Sequence, residues 1–393
     1  MRRRALVLID GEHYAPVVRD VLAVLPYEVV GALLVGGTEK LRGGDDYGVP
    51  LVDSLDAVEV DVVIDLSDEP VLGPRERMLW ASRVLALGMP YVGADFRFEP
   101  PPLEPVDTPS LAVIGLGKRV GKTAVAGHVA RLLAEDRRVV VVAMGRGGPA
   151  EPELIETPPT LDDLLALARS GRHAASDHLE TAALVGVPTV GCRRAGGGLA
   201  GAPLADNVLD GARLAAQLEP DIIVFDGSGA ALPPIAADAR ILVTNGAHDV
   251  RAGLNAYRVL ISDLVVDTGG ADRKEIAAIV DIPVVSAELR LRPVEPLAGR
   301  RTAVFTTGPA PTDGLDADVV HVSRNLARRD ALREELETVD AEVYLVELKA
   351  AAIDVVAEAA LARGAEVVLA ANDVVSDELD ERLLALVPER SRT

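Results

Sequence analysis

The feature that most constrains this sequence is a short apolar run followed by a glycine-rich turn and the tripeptide Gly-Lys-Thr. Residues 111–126 read Leu-Ala-Val-Ile-Gly-Leu-Gly-Lys-Arg-Val-Gly-Lys-Thr-Ala-Val-Ala. The apolar start predicts a buried strand, and the segment from Gly121 onward predicts a helix. A strand, a glycine-rich loop and a helix that begins with Lys122 and Thr123 together form a phosphate-binding P-loop. The chain is therefore expected to bind a nucleotide.

The chemistry of phosphate binding explains the residue types in this loop. Glycines let backbone N–H groups approach the phosphate oxygens, and the helix N-terminus adds a favourable dipole. Lys122 brings a positive charge to the β- and γ-phosphates, and the hydroxyl of Thr123 can ligate Mg²⁺. We therefore predict an ATP-binding loop made of Gly115, Gly117, Lys118, Arg119, Val120, Gly121, Lys122, Thr123 and Ala124.

The glycine spacing departs from the commonest P-loop pattern. That pattern would place a glycine at position 116, where this chain has Leu116, and the glycines lie instead at 115 and 117. The resulting form resembles the P-loops of dethiobiotin synthetase and cobyrinate synthase. The resemblance further implies that Asn245, which follows an apolar run, contacts the purine base.

Composition excludes several classes of protein. The net charge of −21 over 393 residues argues against nucleic acid or an anionic membrane as a partner. Apolar residues make up 49% of the chain and aromatic residues only 3%, a mixture that suits buried parallel strands covered by helices. The single cysteine, Cys192, fits a reducing cytoplasm, and no segment has the length of a membrane span. We expect a cytoplasmic protein.

Strand and helix signals alternate along the whole chain, which predicts an α/β fold with mainly parallel sheets. A proline-rich segment at 99–109 is typical of a linker. We predict a small Rossmann-like α/β domain at 1–98, a central P-loop nucleotide-binding domain at 110–298 and a C-terminal α/β unit at 299–393. A helix is expected over 350–363 of the last unit.

Charged residues follow several of the predicted strands, where ligands bind in open α/β sheets. Asp226 ends an apolar run about 100 residues after the P-loop and suits a Walker-B-type acid that holds Mg²⁺. Arg146, between glycines after another apolar run, could clamp a phosphate. Residues 191–201 contain five glycines with Arg193 and Arg194, which favours a substrate-binding loop. Near the N-terminus, His13 follows the first strand.

With these residues placed, the chain resembles the cyclic 2,3-diphosphoglycerate synthetase family. The resemblance lies in four segments: Asp-Gly-Glu-His-Tyr at 10–14, the P-loop at 115–123, Met-Gly-Arg-Gly-Gly-Pro at 144–149 and Asp-Gly-Ser-Gly at 226–229. It implies a ligase reaction in which ATP and 2,3-diphosphoglycerate give the cyclic diphosphate, ADP and phosphate. Under this resemblance the substrate is a small phosphorylated acid, and ATP and Mg²⁺ are required.

The reaction implied by the resemblance gives the residues roles. Lys122 would neutralise the β- and γ-phosphates, and Lys118 or Arg119 would stabilise the transferring phosphoryl group. The predicted catalytic residues are Lys118, Arg119, Lys122 and Arg146; the predicted substrate ligands are His13, Arg146, Arg193 and Arg194; and the predicted metal ligands are Thr123 and Asp226.

Two alternatives remain at this stage. One is another ATP-dependent ligase or small-molecule kinase that uses an acyl-phosphate intermediate. The other is a nucleotide switch of the ParA or MinD kind, although those proteins carry a lysine where this chain has Gly117. An enzyme of this size is often a homodimer, which we also expect here.

Overall fold

The structure is a computed structural model that describes residues 2–37, 46–308 and 311–387. Contacts divide the chain into two compact units. Unit 1 comprises 1–102, 249–261 and 274–281, and unit 2 comprises 103–248, 262–273 and 282–393. Each unit is an α/β structure in which parallel strands dominate, as the alternation of apolar runs and helical segments predicted.

Unit 1 begins with a sheet that the first hundred residues build. Its elements are β1 (Arg4–Ile9), α1 (Ala15–Val24), β2 (Glu28–Leu34), β3 (Leu51–Val52), β4 (Val62–Asp65), α2 (Pro74–Ala86), β5 (Tyr91–Val92) and β6 (Arg97–Phe98). Among the described residues the sheet has the order β3-β2-β1-β4-β5-β6, and β6 is antiparallel to its neighbour. The core follows from the sequence, because β1 is an unbroken apolar run and α1 repeats apolar residues every three or four positions.

The P-loop sheet occupies the middle of the chain. Its strands are β7 (Ser110–Gly115), β8 (Val139–Gly145), β9 (Glu153–Ile155), β10 (Thr189–Ala195), β11 (Ala205–Asp206), β12 (Ile222–Asp226), β13 (Ala239–Thr244), β14 (Leu264–Asp267) and β15 (Val284–Ser286). Its helices are α3 (Lys122–Ala134), α4 (Leu161–Arg169), α5 (Asp177–Val185), α6 (Val208–Ala216), α7 (Asn255–Leu260) and α8 (Arg273–Ile279). By their contacts, α7 and nearly all of α8 belong to unit 1.

Strand order in this sheet brings the important strand ends together. Within the described residues the order is β11-β10-β8-β12-β7-β13-β14-β15, and β9 pairs with β10. The strands from β10 to β15 run parallel along this path, so their carboxyl ends share one edge. The P-loop strand β7 lies between β12 and β13. The ends of β12 and β13 are therefore beside the P-loop, and the end of β8 is one strand further away.

The last part of the chain forms a second sheet within unit 2. Its elements are β16 (Glu288–Pro293), β17 (Arg301–Phe305), β18 (Asp318–Ser323), α9 (Arg329–Leu336), β19 (Val343–Glu347), a π-helix (Ala352–Ala357), α10 (Glu358–Ala362), β20 (Glu366–Val375) and α11 (Leu379–Leu386). The described strands are ordered β16-β20-β19-β17-β18, with β16 antiparallel to β20. From α11, Leu379 and Leu383 pack into the core of the P-loop sheet, so the two sheets of unit 2 share packing.

Two local predictions were wrong. The glycine-rich segment was expected to be a loop from 191 onward, but β10 continues to Ala195 because Gly191 to Arg193 pair in register with β8. Gly191 is needed there, since a Cβ on it would overlap the ring of His178. The helix expected over 350–363 is instead a turn, then the π-helix, then the short α10. In the described part of the chain, no helix has both the length and the apolar character needed to cross a membrane.

Candidate nucleotide and phosphate site

The P-loop runs from the end of β7 at Gly115 to the start of α3 at Lys122. Arg119 and Gly121 both have left-handed backbone conformations, with φ of 61° and 85°. Glycine suits position 121 for a second reason, because a Cβ there would lie 2.8 Å from Cδ1 of Leu289. The backbone therefore turns tightly just before the helix, as the sequence predicted for a phosphate-binding loop.

Side chains from two neighbouring strand ends hold the loop in place. The hydroxyl of Thr268 donates to the carbonyl oxygen of Val120 at 2.8 Å, and Nδ2 of Asn245 donates to that of Arg119 at 3.0 Å. Nε2 of His248 lies 3.4 Å from the carbonyl oxygen of Lys118. Asn245 was predicted to contact the purine base, whereas no role was predicted for Thr268 or His248. Their only sequence signal is their place just after the apolar runs of β13 and β14.

The centre of the site is a buried ion pair. The ammonium of Lys122 pairs with the carboxylate of Asp226, which ends β12 next to the P-loop strand. Asp226 is only 1% exposed and Lys122 9%. Burial raises the pKa of Asp226, and the charge and hydrogen bond of Lys122 oppose that rise. The two residues that the sequence assigned to the phosphates and to Mg²⁺ are thus in direct contact.

Arg194 belongs to the same site, at the end of β10. Its Nη2 donates to the carbonyl oxygen of Ser228 at 2.9 Å, and its Nη1 donates to that of Gly196 at 2.6 Å. Burial lowers the pKa of Arg194, the charge of Arg146 lowers it further, and Asp177 acts the other way. Arg146 and Asp177 thus both act electrostatically on Arg194.

Lys118 and Asp177 also lie at the carboxyl-end edge of the P-loop sheet, each close to a glycine. A Cβ on Gly229 would lie 3.7 Å from Cγ of Lys118 and 3.9 Å from Nη2 of Arg194, so these two side chains approach the same spot. A Cβ on Gly145 would lie 2.9 Å from the Asp177 carboxylate. Asp177 has no distinguishing signal in the sequence, because an acid in the first turn of a helix usually interacts only with the helix N-terminus.

Arg193 is not part of this cluster. Arg193 is exposed, and it is adjacent to Arg194 on a strand, so the two side chains point to opposite faces of the sheet. Its backbone N–H donates to Oδ1 of Asn207 at 2.7 Å. His13 belongs to unit 1 and is described with that unit below.

In unit 1, His13 is held by a buried carboxylate at the end of the first strand. Its Nδ1 lies 2.8 Å from Oδ1 of Asp10, which also accepts from the backbone N–H groups of Glu12 and His13. The other carboxylate oxygen accepts from the backbone N–H of Asp68 at 2.7 Å. Burial alone would raise the pKa of Asp10, but the hydrogen bonds from His13 and Asp68 outweigh it and the pKa is lowered. This arrangement fixes the imidazole and leaves Nε2 directed away from Asp10.

The donor set beside the P-loop fits Mg²⁺. The carboxylate of Asp226 and the hydroxyl of Thr123 are hard oxygen ligands, and Mg²⁺ usually takes one or two of these with phosphate oxygens and water. Within the ranges that the structure describes, no three His, Cys, Asp or Glu residues are grouped to hold a metal by themselves. A Mg²⁺ ion here would therefore need oxygens from the nucleotide.

A pocket of about 450 Å³ opens at the carboxyl ends of β14 and β15. It is next to the P-loop, since Thr268 in its wall is the residue that holds Val120. Its walls combine backbone, hydroxyl, carboxylate and apolar groups, from Asp267, Thr268, Gly269, Gly270, Ser286, Ala287, Glu288, Val375, Ser376 and Asp377. The size suits part of a nucleotide.

Three protein-family models match successive parts of the chain. They are the N-terminal domain of cyclic 2,3-diphosphoglycerate synthetase at 4–99, its P-loop domain at 110–284 and its C-terminal domain at 293–373. The chain belongs to the cyclic 2,3-diphosphoglycerate synthetase family. Family membership agrees with the resemblance that the sequence motifs indicated.

Full-length relatives support the same assignment. The chain is 47% identical to a cyclic 2,3-diphosphoglycerate synthetase of Rubrobacter xylanophilus, over 99% of this chain and 98% of that protein. It is 43% identical to one of Thermococcus kodakarensis, over 94% of both chains. For a relative of the same name from Pyrococcus horikoshii, the identity is 39% over 92% of this chain and 91% of that protein.

Proposed function

We propose that this protein uses ATP to convert 2,3-diphosphoglycerate into cyclic 2,3-diphosphoglycerate, with release of ADP and phosphate. The observation that carries the proposal is the near full-length relationship to synthetases of that name, which includes the P-loop domain. The cluster of basic side chains at the P-loop edge supports it, because ATP and the substrate are both polyanions. Among ATP-dependent enzymes this is a ligase.

The reaction needs two phosphoryl transfers. First, an oxygen of one substrate phosphate attacks the γ-phosphorus of ATP, and the bond from that phosphorus to the bridging oxygen of ADP breaks. Then an oxygen of the second substrate phosphate attacks the inner phosphorus of the new anhydride, the ring closes and inorganic phosphate leaves. Neither step requires a nucleophilic side chain. Cys192 would be a poor one, since burial first, and then Asp206 and Asp210, raise its pKa to about 12.

Positioning and charge neutralisation therefore account for catalysis. Lys122 exchanges part of its pairing with Asp226 for the β- and γ-phosphates. Lys118 or Arg119 stabilises the transferring phosphoryl group, and Arg146 with Arg194 binds the substrate phosphates. His13 and Arg193 remain predicted substrate residues, and Asn245 a predicted contact to the base.

Mg²⁺ would be held by Thr123 and Asp226. When bound, it would neutralise negative charge on the β- and γ-phosphates. Other residues near the P-loop have separate roles: Thr268 and Asn245 hold the P-loop backbone, and the arginines place positive charge beside the substrate. We further propose that the protein works in the cytoplasm as a homodimer, which light scattering on the purified protein would test.

The two alternatives predict different products. An acyl-phosphate ligase or kinase would turn over ATP with another acid, and a nucleotide switch would give slow hydrolysis that no small acid stimulates. Phosphorus NMR of the purified protein with ATP, Mg²⁺ and 2,3-diphosphoglycerate distinguishes them. Cyclic pyrophosphate signals with equal amounts of ADP and phosphate would establish the proposed reaction, and ATP consumption without those signals would refute it.

A further inference from the structure

Lys349 lies at an irregular point of the second sheet of unit 2. It comes two residues after the end of β19, in a tight turn where its N–H donates to the carbonyl oxygen of Glu347 at 2.7 Å. The next residue, Ala350, has a left-handed backbone with φ of 48°, and the π-helix follows. Left-handed non-glycine residues and π-helical turns are costly and are concentrated at functional sites. We therefore expect this turn to have a functional role.

The ammonium of Lys349 reaches the P-loop side of unit 2. It lies 3.4 Å from Oε1 of Glu180, in α5. The first residue of that helix is Asp177, which contacts Gly145 immediately before Arg146. The pKa of Asp226 is raised by burial, lowered by Lys122, raised by Asp177 and lowered by Lys349. Lys349 is thus within electrostatic range of the central ion pair.

Lys349 and Glu180 form an ion pair in which the two side chains are buried to different degrees. Glu180 is buried, whereas the Lys349 side chain is 34% exposed, so part of the lysine side chain lies at the surface. Glu347 already has partners of its own, because it accepts from the backbone and hydroxyl of Thr307 and from the amide of Asn372. Burying charges without full pairing is rarely stabilising compared with apolar residues.

The small number of lysines in the chain also supports a functional role for Lys349. The chain has only five lysines, at positions 40, 118, 122, 274 and 349, and otherwise uses arginine for positive charge. Two of the five are in the P-loop, and Lys349 approaches the same edge from the other sheet. A compact ammonium on a flexible stem suits a group that changes partners during a reaction.

We infer that Lys349 is a substrate-binding residue whose ammonium transfers from Glu180 to a phosphate oxygen of the diphosphorylated substrate bound beside the P-loop. This inference rests on the proposed function and extends it, because it gives the C-terminal sheet a direct part in the site. Glu180 then holds the cation in position when no anion competes for it. Lys349 would then be a third cation, besides Arg146 and Arg194, that binds the substrate phosphates.

The test compares Lys349→Met, Lys349→Arg and Glu180→Gln with the wild type and with the control Lys274→Met, which removes an exposed lysine in α8. Formation of ADP and cyclic product is followed in the full-length protein with varied ATP or varied 2,3-diphosphoglycerate. Thermal unfolding of each variant is measured in parallel. If the wild type makes no cyclic product, the proposed function fails, and this inference fails with it.

For Lys349→Met we expect KM for 2,3-diphosphoglycerate to rise by roughly tenfold or more, as for loss of a charge-assisted hydrogen bond, while KM for ATP changes by less than about twofold. Lys349→Arg should recover most of the loss. Glu180→Gln should lower KM for the diphosphate or leave it unchanged, because it removes the competing carboxylate.

A purely structural pair gives a different pattern. In that case Lys349→Met and Glu180→Gln lower the unfolding temperature together and raise both KM values alike, and the inference is overturned. It is also overturned if Lys349→Met keeps both KM values and kcat within twofold of the wild type. If Lys349→Met does not fold, a rise in KM for the diphosphate in Glu180→Gln contradicts the inference and a fall supports it.

Discussion

The Lys122 ammonium and the Asp226 carboxylate form a buried ion pair where the P-loop helix begins. The lysine comes from the loop after β7, and the acid comes from the end of the adjacent strand β12, 104 residues later. Each side chain lowers the cost of burying the other, although burial still raises the pKa of Asp226. We therefore expect phosphate binding to compete with this pair, and both activity and stability to depend on it.

Replacing the P-loop lysine is expected to affect folding as well as catalysis. Lys122→Met should lower ATP turnover by about 100-fold or more, because the β- and γ-phosphates lose their closest cation. It should also cost roughly 3 kcal/mol of stability, since it leaves a buried carboxylate without its partner. Urea denaturation followed by circular dichroism measures the loss. Lys122→Met/Asp226→Asn should regain at least half of that stability without regaining activity, and equal stability of the two variants would contradict this account.

Arg146 is expected to bind substrate rather than nucleotide. Arg146→Ala should raise KM for 2,3-diphosphoglycerate by roughly 10- to 100-fold, the range for one or two charge-assisted hydrogen bonds. Initial-rate kinetics with each substrate varied would show whether KM for ATP stays nearly constant. Arg213→Ala is a matched control, because Arg213 is exposed on α6 and paired with Asp210. An unchanged KM for the diphosphate in Arg146→Ala would remove Arg146 from the substrate site.

Glu180 should make stability depend on pH. Its ordinary pKa is 4.5, and in the folded protein burial raises it to about 7, with Lys349 opposing the rise and Asp177 and Glu347 adding to it. Between these values the folded protein binds a proton that the unfolded chain has lost, so the free energy of unfolding falls as the pH rises through this window. The gap corresponds to roughly 3 kcal/mol at most.

The measurement is urea denaturation of wild type and Glu180→Gln at pH 4.5, 6 and 8. The stability of the wild type relative to Glu180→Gln should decrease between pH 4.5 and 7 and then remain level. Parallel pH profiles for the two proteins would show that Glu180 ionises normally in the folded state.

In unit 1, we expect the loss of His13 to affect substrate binding and the loss of Asp10 to affect stability. His13→Ala should raise KM for 2,3-diphosphoglycerate by about tenfold with little change in unfolding temperature, since the imidazole is partly exposed. Asp10→Ala should lower the unfolding temperature clearly, because it removes the acceptor for the N–H groups of Glu12, His13 and Asp68. Differential scanning calorimetry and initial rates provide the two readouts. Normal kinetics in a well-folded His13→Ala would exclude His13 from substrate binding.

Much of the fold could be predicted because its signals are local. Apolar runs such as 139–144 and 222–225 became buried strands, and Gly-Lys-Thr began a helix. The two errors have local causes too. The glycines that flank the second half of β10 made it resemble a loop, but the pairing of this strand with β8 outweighs their flexibility. The alanine-rich residues after Lys349 were predicted to form one regular helix. The opposite orientations of Arg193 and Arg194 follow from strand alternation, once the strand itself is recognised.

The contacts within the site were harder to predict, because they join residues far apart in the chain. Thr268 holds the carbonyl oxygen of Val120 across 148 positions, and Lys349 meets Glu180 from a different sheet. No pattern in either segment indicates its partner. Strand order and register decide such contacts, and these depend on the packing of the whole sheet.

The sequence by itself determined that residues 115–123 form a tight turn at the start of a helix, because the glycines and the helix-forming residues are encoded within that short segment. It also determined the pairing of apolar strands with helices. Only the tertiary structure decided which charges face one another: Lys122 with Asp226, and Lys349 with Glu180. The physical reason is that a parallel sheet brings the carboxyl ends of its strands to one edge, whatever their separation along the chain.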